Sequence, residues 1–292
     1  MDEVTVRVSA TTANIGPGFD CVGMALSIYD TLTFRKADGL KITGCEKIYQ
    51  NENNLAFVAY KKTLEKMGVA DFGVEINISS EIPVSRGLGS SAALIAAGAA
   101  AANALWKGSL TKADLLEIGS GIEGHPDNLA PALYGGLTCS AQTENDIFTA
   151  RYEIDEGFSF VALIPPFPLS TEKARQVLPN KVDRKDAVYN ISRTVLLLKA
   201  LETGDGEMLK VAVSDRLHER YRKELIPGYE TALEIAKELS ASMFISGAGP
   251  TLMMISRDKS FIERLSEKTK ASLLSKWRIL DLKPDNRGIN IG

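Results

Sequence analysis

A chain of 292 residues, 45% hydrophobic and 24% charged, is long enough to bury two cores and has the make-up of a folded globular protein, which excludes a disordered chain or a coiled coil. Its formal net charge of −3 leaves no basic field to hold a nucleic-acid backbone. Cys21, Cys45 and Cys139 are odd in number and far apart, which speaks against a disulfide framework or a zinc site, and Asp2 and Glu3 stand where a secretion signal needs positive charge; the chain reads as cytoplasmic.

In chain order, Val4, Val6 and Val8 alternate with polar residues as in a half-buried strand, which breaks at Thr11 into a polar loop leading through Asn14 to Asp20. Leu26 to Phe34 alternates again, and Leu40-Lys41-Ile42 continues the sheet, expected antiparallel because the connections are short. Asn53-Asn54 precedes an amphipathic helix from Leu55 to Leu64, and Val74 to Ser79 is one more strand. It feeds Pro83-Val84-Ser85-Arg86-Gly87-Leu88-Gly89-Ser90-Ser91-Ala92-Ala93, which runs straight into an alanine-rich helix. Small residues and the interruptions at Asn103 and Lys107 make that helix an interior one and not a membrane span. A helix opening at Thr111 is expected to stop at the pair Gly119 and Gly121, and the polar cluster Glu123-Gly124-His125-Pro126-Asp127-Asn128 follows.

From Thr143 to Gly157 the sequence turns polar, which places a lobe boundary there, with residues 1–150 in one domain and residues 151–292 in a second. In the second, Phe158 to Ile164 is an apolar strand, and helical patterns run from Asp186 to Leu201, Met208 to Glu224 and Tyr229 to Leu239. Met243 to Ile245 and Leu252 to Ile255 flank a second glycine loop, Ser246 to Thr251, as a hairpin-type pair. A charged helix from Ser260 and a strand from Trp277 complete a mixed α+β chain.

The stretch from Pro83 to Ala93 brings unpaired backbone N–H groups and the positive end of a helix dipole to one spot, a site for an anion and most simply for a phosphate. It meets the dinucleotide-binding pattern only formally, because the residues after it stay helical and the strands before it look antiparallel. No glycine is followed by the Lys-Ser or Lys-Thr of a Walker loop.

Three loops, Asn14 to Asp20, Pro83 to Ala93 and Ser246 to Thr251, resemble in that order the three signature motifs of the GHMP kinases, and the second is present in full as Pro-x-x-x-Gly-Leu-Gly-Ser-Ser-Ala. Within that family, Thr12 to Asp20, Glu123 to Ala132 and Asp215-Arg216-Leu217-His218 are most similar to the homoserine kinases. The resemblance spans nearly the whole chain. It implies an α+β fold of two lobes, the N-terminal, ATP-binding one like ribosomal protein S5 domain 2 and the C-terminal one ferredoxin-like. It implies transfer of a phosphoryl group from ATP, with Mg2+, to the side-chain hydroxyl of L-homoserine in threonine biosynthesis, and a homodimer, which many members form.

On that resemblance Pro83, Arg86, Gly87, Leu88, Gly89, Ser90, Ser91 and Ala92 cradle the triphosphate, and Ser90 with Glu123 holds the metal. Asn54 lies near adenine or simply caps its helix. Asp20 takes the ammonium with Asn14 beside it, while Thr171, Arg175 and Arg216 receive the carboxylate. Asn128 orients the hydroxyl, and His125 shapes the site. Mevalonate and galactokinases place a catalytic aspartate near this block, so Asn128 implies transfer without a protein general base, with Asp127 pointing elsewhere; His125 as the base is the alternative. A kinase for mevalonate or shikimate and a non-catalytic sensor of ATP and an amino acid also stay open, and retention of the metal pair favours turnover.

Overall fold

The alternating valines at the N-terminus open strand β1 (Glu3–Ala13), which pairs antiparallel with the long β2 (Val22–Lys36) in a computed structural model whose described residues are 2–70, 72–144 and 146–292. Thr11, Thr12 and Ala13 do not belong to the loop, because their backbone stays in register with Ala25, Met24 and Gly23. After β3 (Leu40–Thr43) and helix α1 (Leu55–Lys66), β4 (Val74–Ser80) returns to the far side of β2 and pairs with β3 in parallel. The antiparallel expectation for β3 fails because α1 supplies the long crossover that a parallel pair requires. Asn54 caps α1, its Oδ1 accepting from Ala56 N at 3.0 Å.

Helix α2 (Ser90–Leu105) is the alanine-rich run and is buried along most of its length. Its small residues let α1 press against it: a Cβ at Gly98 would stand 2.0 Å from the Ala56 carbonyl oxygen. Helix α3 (Lys112–Glu123) opens with a capping box between Thr111 and Asp114 and runs through both Gly119 and Gly121, ending instead at Gly124. The extra turn delivers Glu123 to the cavity wall. Helix α4 (Leu129–Tyr134) leads to the hairpin β5 (Leu137–Gln142) and β6 (Ile147–Tyr152), joined to β2 through β5. The polar stretch after Thr143 thus holds a strand of the first sheet.

The second sheet begins with β7 (Ser159–Ile164). Helices α5 (Thr171–Gln176), α6 (Arg184–Thr203), α7 (Gly206–Ala212), α8 (Glu219–Arg222) and α9 (Tyr229–Glu238) precede β8 (Ser242–Ile245) and β9 (Leu252–Ser256). Helix α10 (Phe261–Lys270) and β10 (Arg278–Leu282) follow, giving the antiparallel order β10-β7-β9-β8. The helix expected from Met208 to Glu224 is broken between Ala212 and Glu219, where Asp215 accepts from the backbone N–H groups of His218 and Glu219. The last strand, β11 (Asn290–Ile291), crosses back to pair with β1, so the described first sheet runs β11-β1-β2-β4-β3 with the β5–β6 hairpin attached to β2.

Strands β7, β8 and β9 of the second sheet are buried on both faces, which is why β7 and β9 read as unbroken apolar runs. Phe160, Ala162, Met253 and Ile255 join the core of the first sheet together with Leu197 and Leu201 of α6, while Val161, Leu163, Leu252 and Met254 pack with α9 and α10. One apolar core therefore continues from lobe to lobe and fixes the cleft between them. No helix among the described residues is long and apolar enough to cross a membrane.

Candidate active site

Between the two sheets lies a cavity of about 400 Å³ whose wall includes residues from all three glycine loops. Residues 85–88 turn their carbonyl oxygens outward, and each is held: Ser85 O by Leu169 N at 3.0 Å, Arg86 O by Thr251 N at 3.3 Å, Gly87 O by Ser246 Oγ at 2.6 Å and Leu88 O by Thr11 N at 3.1 Å. Among the described residues, the N–H groups of residues 87–92 have no backbone acceptor. Pinned carbonyls and free N–H groups leave an anion cradle, to which the start of α2 adds its dipole. Gly87, Gly89, Ser90 and Ser91 line the cavity, as does Arg86, whose guanidinium is spent on the carbonyls of Val84, Pro165 and Pro166. Pro83, Leu88 and Ala92 are not at the wall; Leu88 and Ala92 are buried in the core instead.

The first and third loops are laced together beside the cradle. Asn14 Nδ2 donates to Gly247 O at 2.8 Å and Asn14 Oδ1 accepts from Asp20 N at 3.0 Å, so both ends of its amide hold loop backbone. The Ser246 hydroxyl lies 2.6 Å from Gly87 O and 2.8 Å from Thr12 Oγ1, and so ties the third loop to both the cradle and β1.

Asp20 and Arg175 face each other across the other end of the cavity as a bidentate pair, with contacts of 2.7 and 3.1 Å. Thr171, at the start of α5, lines the same wall. The second guanidinium there belongs to Arg222, which the sequence reading missed. It is only 2% exposed and reaches the cavity while donating to Gly247 O at 2.9 Å and Ala174 O at 3.2 Å. Burial, aided by the charge of Arg175, lowers its pKa to about 10, so it keeps its charge at neutral pH. Beneath it, burial holds His218 neutral; its Nε2–H donates to Gly16 O at 2.9 Å and its Nδ1 accepts from Arg222.

Arg216, expected at this end, lies elsewhere. It does not line the cavity: it stacks 3.8 Å from the Tyr189 ring and pairs with Asp186 at 3.5 Å. The break between α7 and α8 turns Arg216 away, and the spacing of His218 and Arg222, one helical turn apart, was the available signal for the residue that faces inward.

A third group stands between these ends. Glu123 accepts from the Ser91 hydroxyl at 2.9 Å, so the hydroxyl bonded to it is that of Ser91 and not of Ser90. Burial raises its proton affinity, and among the described residues it forms no ion pair. A half-buried carboxylate of this kind beside hydroxyls and a phosphate cradle fits a hard, oxygen-seeking cation. Asp127 lines the cavity, contrary to expectation, with its Oδ1 bonded to His125 Nδ1 and 3.2 Å from Asn128 Nδ2. Burial disfavours the charged imidazole, but the hydrogen bond and charge of Asp127 outweigh it and raise the His125 pKa. Asn128 is nearly buried, and its Oδ1 accepts from Thr11 Oγ1 at 2.8 Å. Asn54 also lines the cavity while capping α1, near Tyr49, Leu55 and Ile78.

Residues 54–136 match the family described as GHMP kinases N terminal domain and residues 197–273 match GHMP kinases C terminal. A homoserine kinase of Clostridium botulinum is 45% identical over 290 residues, covering 98% of this chain and 97% of that protein. One from Clostridium beijerinckii is 44% identical over 99% of this chain and 98% of its own length. The crystal structure of homoserine kinase from Cytophaga hutchinsonii superposes with a TM-score of 0.89 at 26% identity, over 100% of this chain and 98% of that one.

Proposed function

The chain belongs to the GHMP kinase family, and on that premise we propose that it transfers the γ-phosphoryl group of ATP to the side-chain hydroxyl of L-homoserine, giving O-phospho-L-homoserine and ADP, a step of threonine biosynthesis. The observation that carries the substrate is the charge pattern of one cavity: an N–H cradle at one end, and at the other the carboxylate of Asp20, paired with Arg175 and within 4.8 Å of that of Asp127, together with the guanidiniums of Arg175 and Arg222. An amino acid zwitterion matches that second end. Its ammonium replaces a guanidinium on Asp20, and its carboxylate meets Arg175 and Arg222, with Thr171 at the rim.

The N–H groups of Gly87 and of Gly89 to Ser91 hold the phosphates, and the apolar wall near Asn54 receives the adenine. Glu123 and Ser90, both on the cavity wall, would hold Mg2+, which when bound supplies charge neutralisation for the phosphates. Asn128 sits between the two ends and orients the substrate hydroxyl. The hydroxyl oxygen forms its bond to the γ-phosphorus as the bond from that phosphorus to the ADP oxygen breaks, and the hydroxyl proton passes to a γ-phosphoryl oxygen. Asn128 cannot take that proton, and Asp127 Oδ1 is engaged by His125 and by Asn128 itself; on this reading the protein's part is alignment and charge.

A coupled assay for ADP release with homoserine, mevalonate, shikimate and serine, and mass spectrometry of the product, tests the reading. Homoserine should be the preferred acceptor by a wide margin. ATP binding without ADP release for any alcohol would point to a sensor, and preference for an acid lacking an ammonium would overturn the substrate.

A further inference from the structure

We propose that Thr11, which does not line the cavity, is a positioning residue that sets the acceptor-orienting amide of Asn128 in register with the phosphate cradle. This rests on the kinase reading above and extends it to a residue behind the site.

Thr11 is fully buried near the end of β1, just past an irregularity in the β1–β2 register between Ser9 and Ala10. Such a bulge re-aims the side chains beyond it. Two groups of Thr11 reach in two directions. Its backbone N–H donates to Leu88 O at 3.1 Å, inside the stretch whose N–H groups form the cradle. Its hydroxyl meets Asn128 Oδ1 at 2.8 Å, 117 positions away in sequence. The hydroxyl also fills the space beside Gly89, where a Cβ would come within 1.9 Å of Thr11 Oγ1 and 3.2 Å of Asn128 Oδ1. Gly89 has φ +71, so the same residue that lets the cradle turn leaves room for the thread linking it to Asn128.

The partners also decide which way the Asn128 amide faces. Asp127 Oδ1 is an acceptor with no hydrogen of its own when ionised, so the group 3.2 Å from it must be the amide nitrogen. The amide oxygen then faces Thr11, whose hydroxyl must be the donor. Thr11 and Asp127 thus hold the amide from both sides, leaving one N–H and one lone pair for a ligand. The anchor for both the cradle and the amide is thus a strand paired with β2 from Glu3 to Ala13. In-line transfer depends on the distance between these two parts, and a misplacement of the order of 1 Å costs about 100-fold in rate.

The test uses the full-length enzyme with steady-state kinetics for ATP and homoserine. Thr11→Val keeps the shape and loses the donor; kcat should fall about 10- to 100-fold, with both KM values within about threefold. Thr11→Ser restores the hydroxyl and should recover kcat to within about threefold of wild type. In an Asn128→Ala background, Thr11→Val should change kcat by less than about twofold, since the group it positions is gone. Equal losses in both backgrounds, or a raised KM for ATP with kcat retained, would make Thr11 a structural support of the cradle alone and overturn the proposal. A fully active Thr11→Val overturns it too. Thermal melting checks folding, and Thr11→Cys, a weaker donor of similar size, carries the same cycle if the valine variant melts below the assay temperature. A wild-type chain with no activity on homoserine would instead sink the kinase reading, a result distinct from any of these.

Discussion

The phosphate end of the cavity is lined from one short stretch, Ser85 to Gly87 and Gly89 to Ser91, whereas the acceptor end is assembled from Asp20, Asn128, Arg175 and Arg222, which lie far apart in the chain. The first is a property of backbone shape, set by the left-handed turns at Gly87 and Gly89. The second depends on the identity of single charged or polar groups and on loops that fix them in space. Nucleotide and acceptor should therefore fail separately: a side-chain change at the acceptor end alters turnover or the KM for homoserine and leaves ATP binding intact.

The largest expected break is Asn128→Ala. Losing one preorganised polar contact at the reacting group typically costs 10²–10³-fold in kcat, and about that loss is expected here with the KM for ATP unchanged. Asp127→Asn keeps a side chain of the same shape able to meet Asn128, and should lose no more than about 10-fold. A collapse of Asp127→Asn to the level of Asn128→Ala, with folding intact, would mean that the carboxylate takes the proton and that the transfer uses a base after all.

Next in size is Asp20→Ala. The carboxylate is the counter-charge for Arg175 and the group that reads an ammonium. Its removal should raise the KM for homoserine about 30-fold or more, the size of one lost charge-assisted pair, and improve alcohols bearing a carboxylate but no ammonium relative to homoserine. An unchanged KM would show that the amine is read elsewhere and would erase the contrast between the two ends.

The same contrast explains what could be read from the sequence. The cradle is local: Gly87, Gly89 and the alanine-rich helix stand within one short stretch, so motif and helix physics together disclose it. Asp20, Asn128 and Arg175 were also legible, through motif context, and the structure brings all three to one cavity. Arg222 and Thr11 were not. Arg222 looked like one more arginine in a long helical pattern, and only the break at Asp215, created by side-chain capping of α8, decides which arginine turns inward. Thr11 looked like the start of a loop, because nothing in its neighbours signals that β1 continues to Ala13 against β2. The parallel pairing of β3 was hidden for the same reason, being set by a partner strand on the other side of α1.

Helix α8, which carries Arg222 to the acceptor end, also carries a pH signature. Glu219, at the start of α8, is buried and accepts from Ile245 N at 2.6 Å; burial first, then the charge of Asp215, pushes its carboxyl up to about 8. A raised folded-state pKa means that the folded chain binds more protons than the unfolded one between the ordinary value of 4.5 and about 8. Its contribution is therefore fully present below 4.5 and is lost as pH rises through about 8, with a slope of up to about 1.4 kcal/mol per pH unit. Glu219→Gln retains a carbonyl for Ile245 N and has no charge to bury. Denaturant unfolding across this range should give a curve for the variant that is flatter by that slope; parallel curves would place the proton elsewhere.

The smallest effect is expected at Arg216, and it is the sharpest test of how the acceptor end is assigned. Its guanidinium, about half exposed, lies on Tyr189 and beside Asp186, and exposed pairs of that kind contribute about 0–1 kcal/mol. Asp186 keeps Arg220 as a partner at 3.0 Å when Arg216 is removed. Arg216→Ala should therefore leave kcat and both KM values within about twofold of wild type. Arg222→Met should raise the KM for homoserine by at least about 10-fold, because a desolvated cation facing the substrate carboxylate is lost. If the two results came out reversed, the inward-facing cation would be the wrong one, and the break between α7 and α8 would have to rearrange when substrate enters.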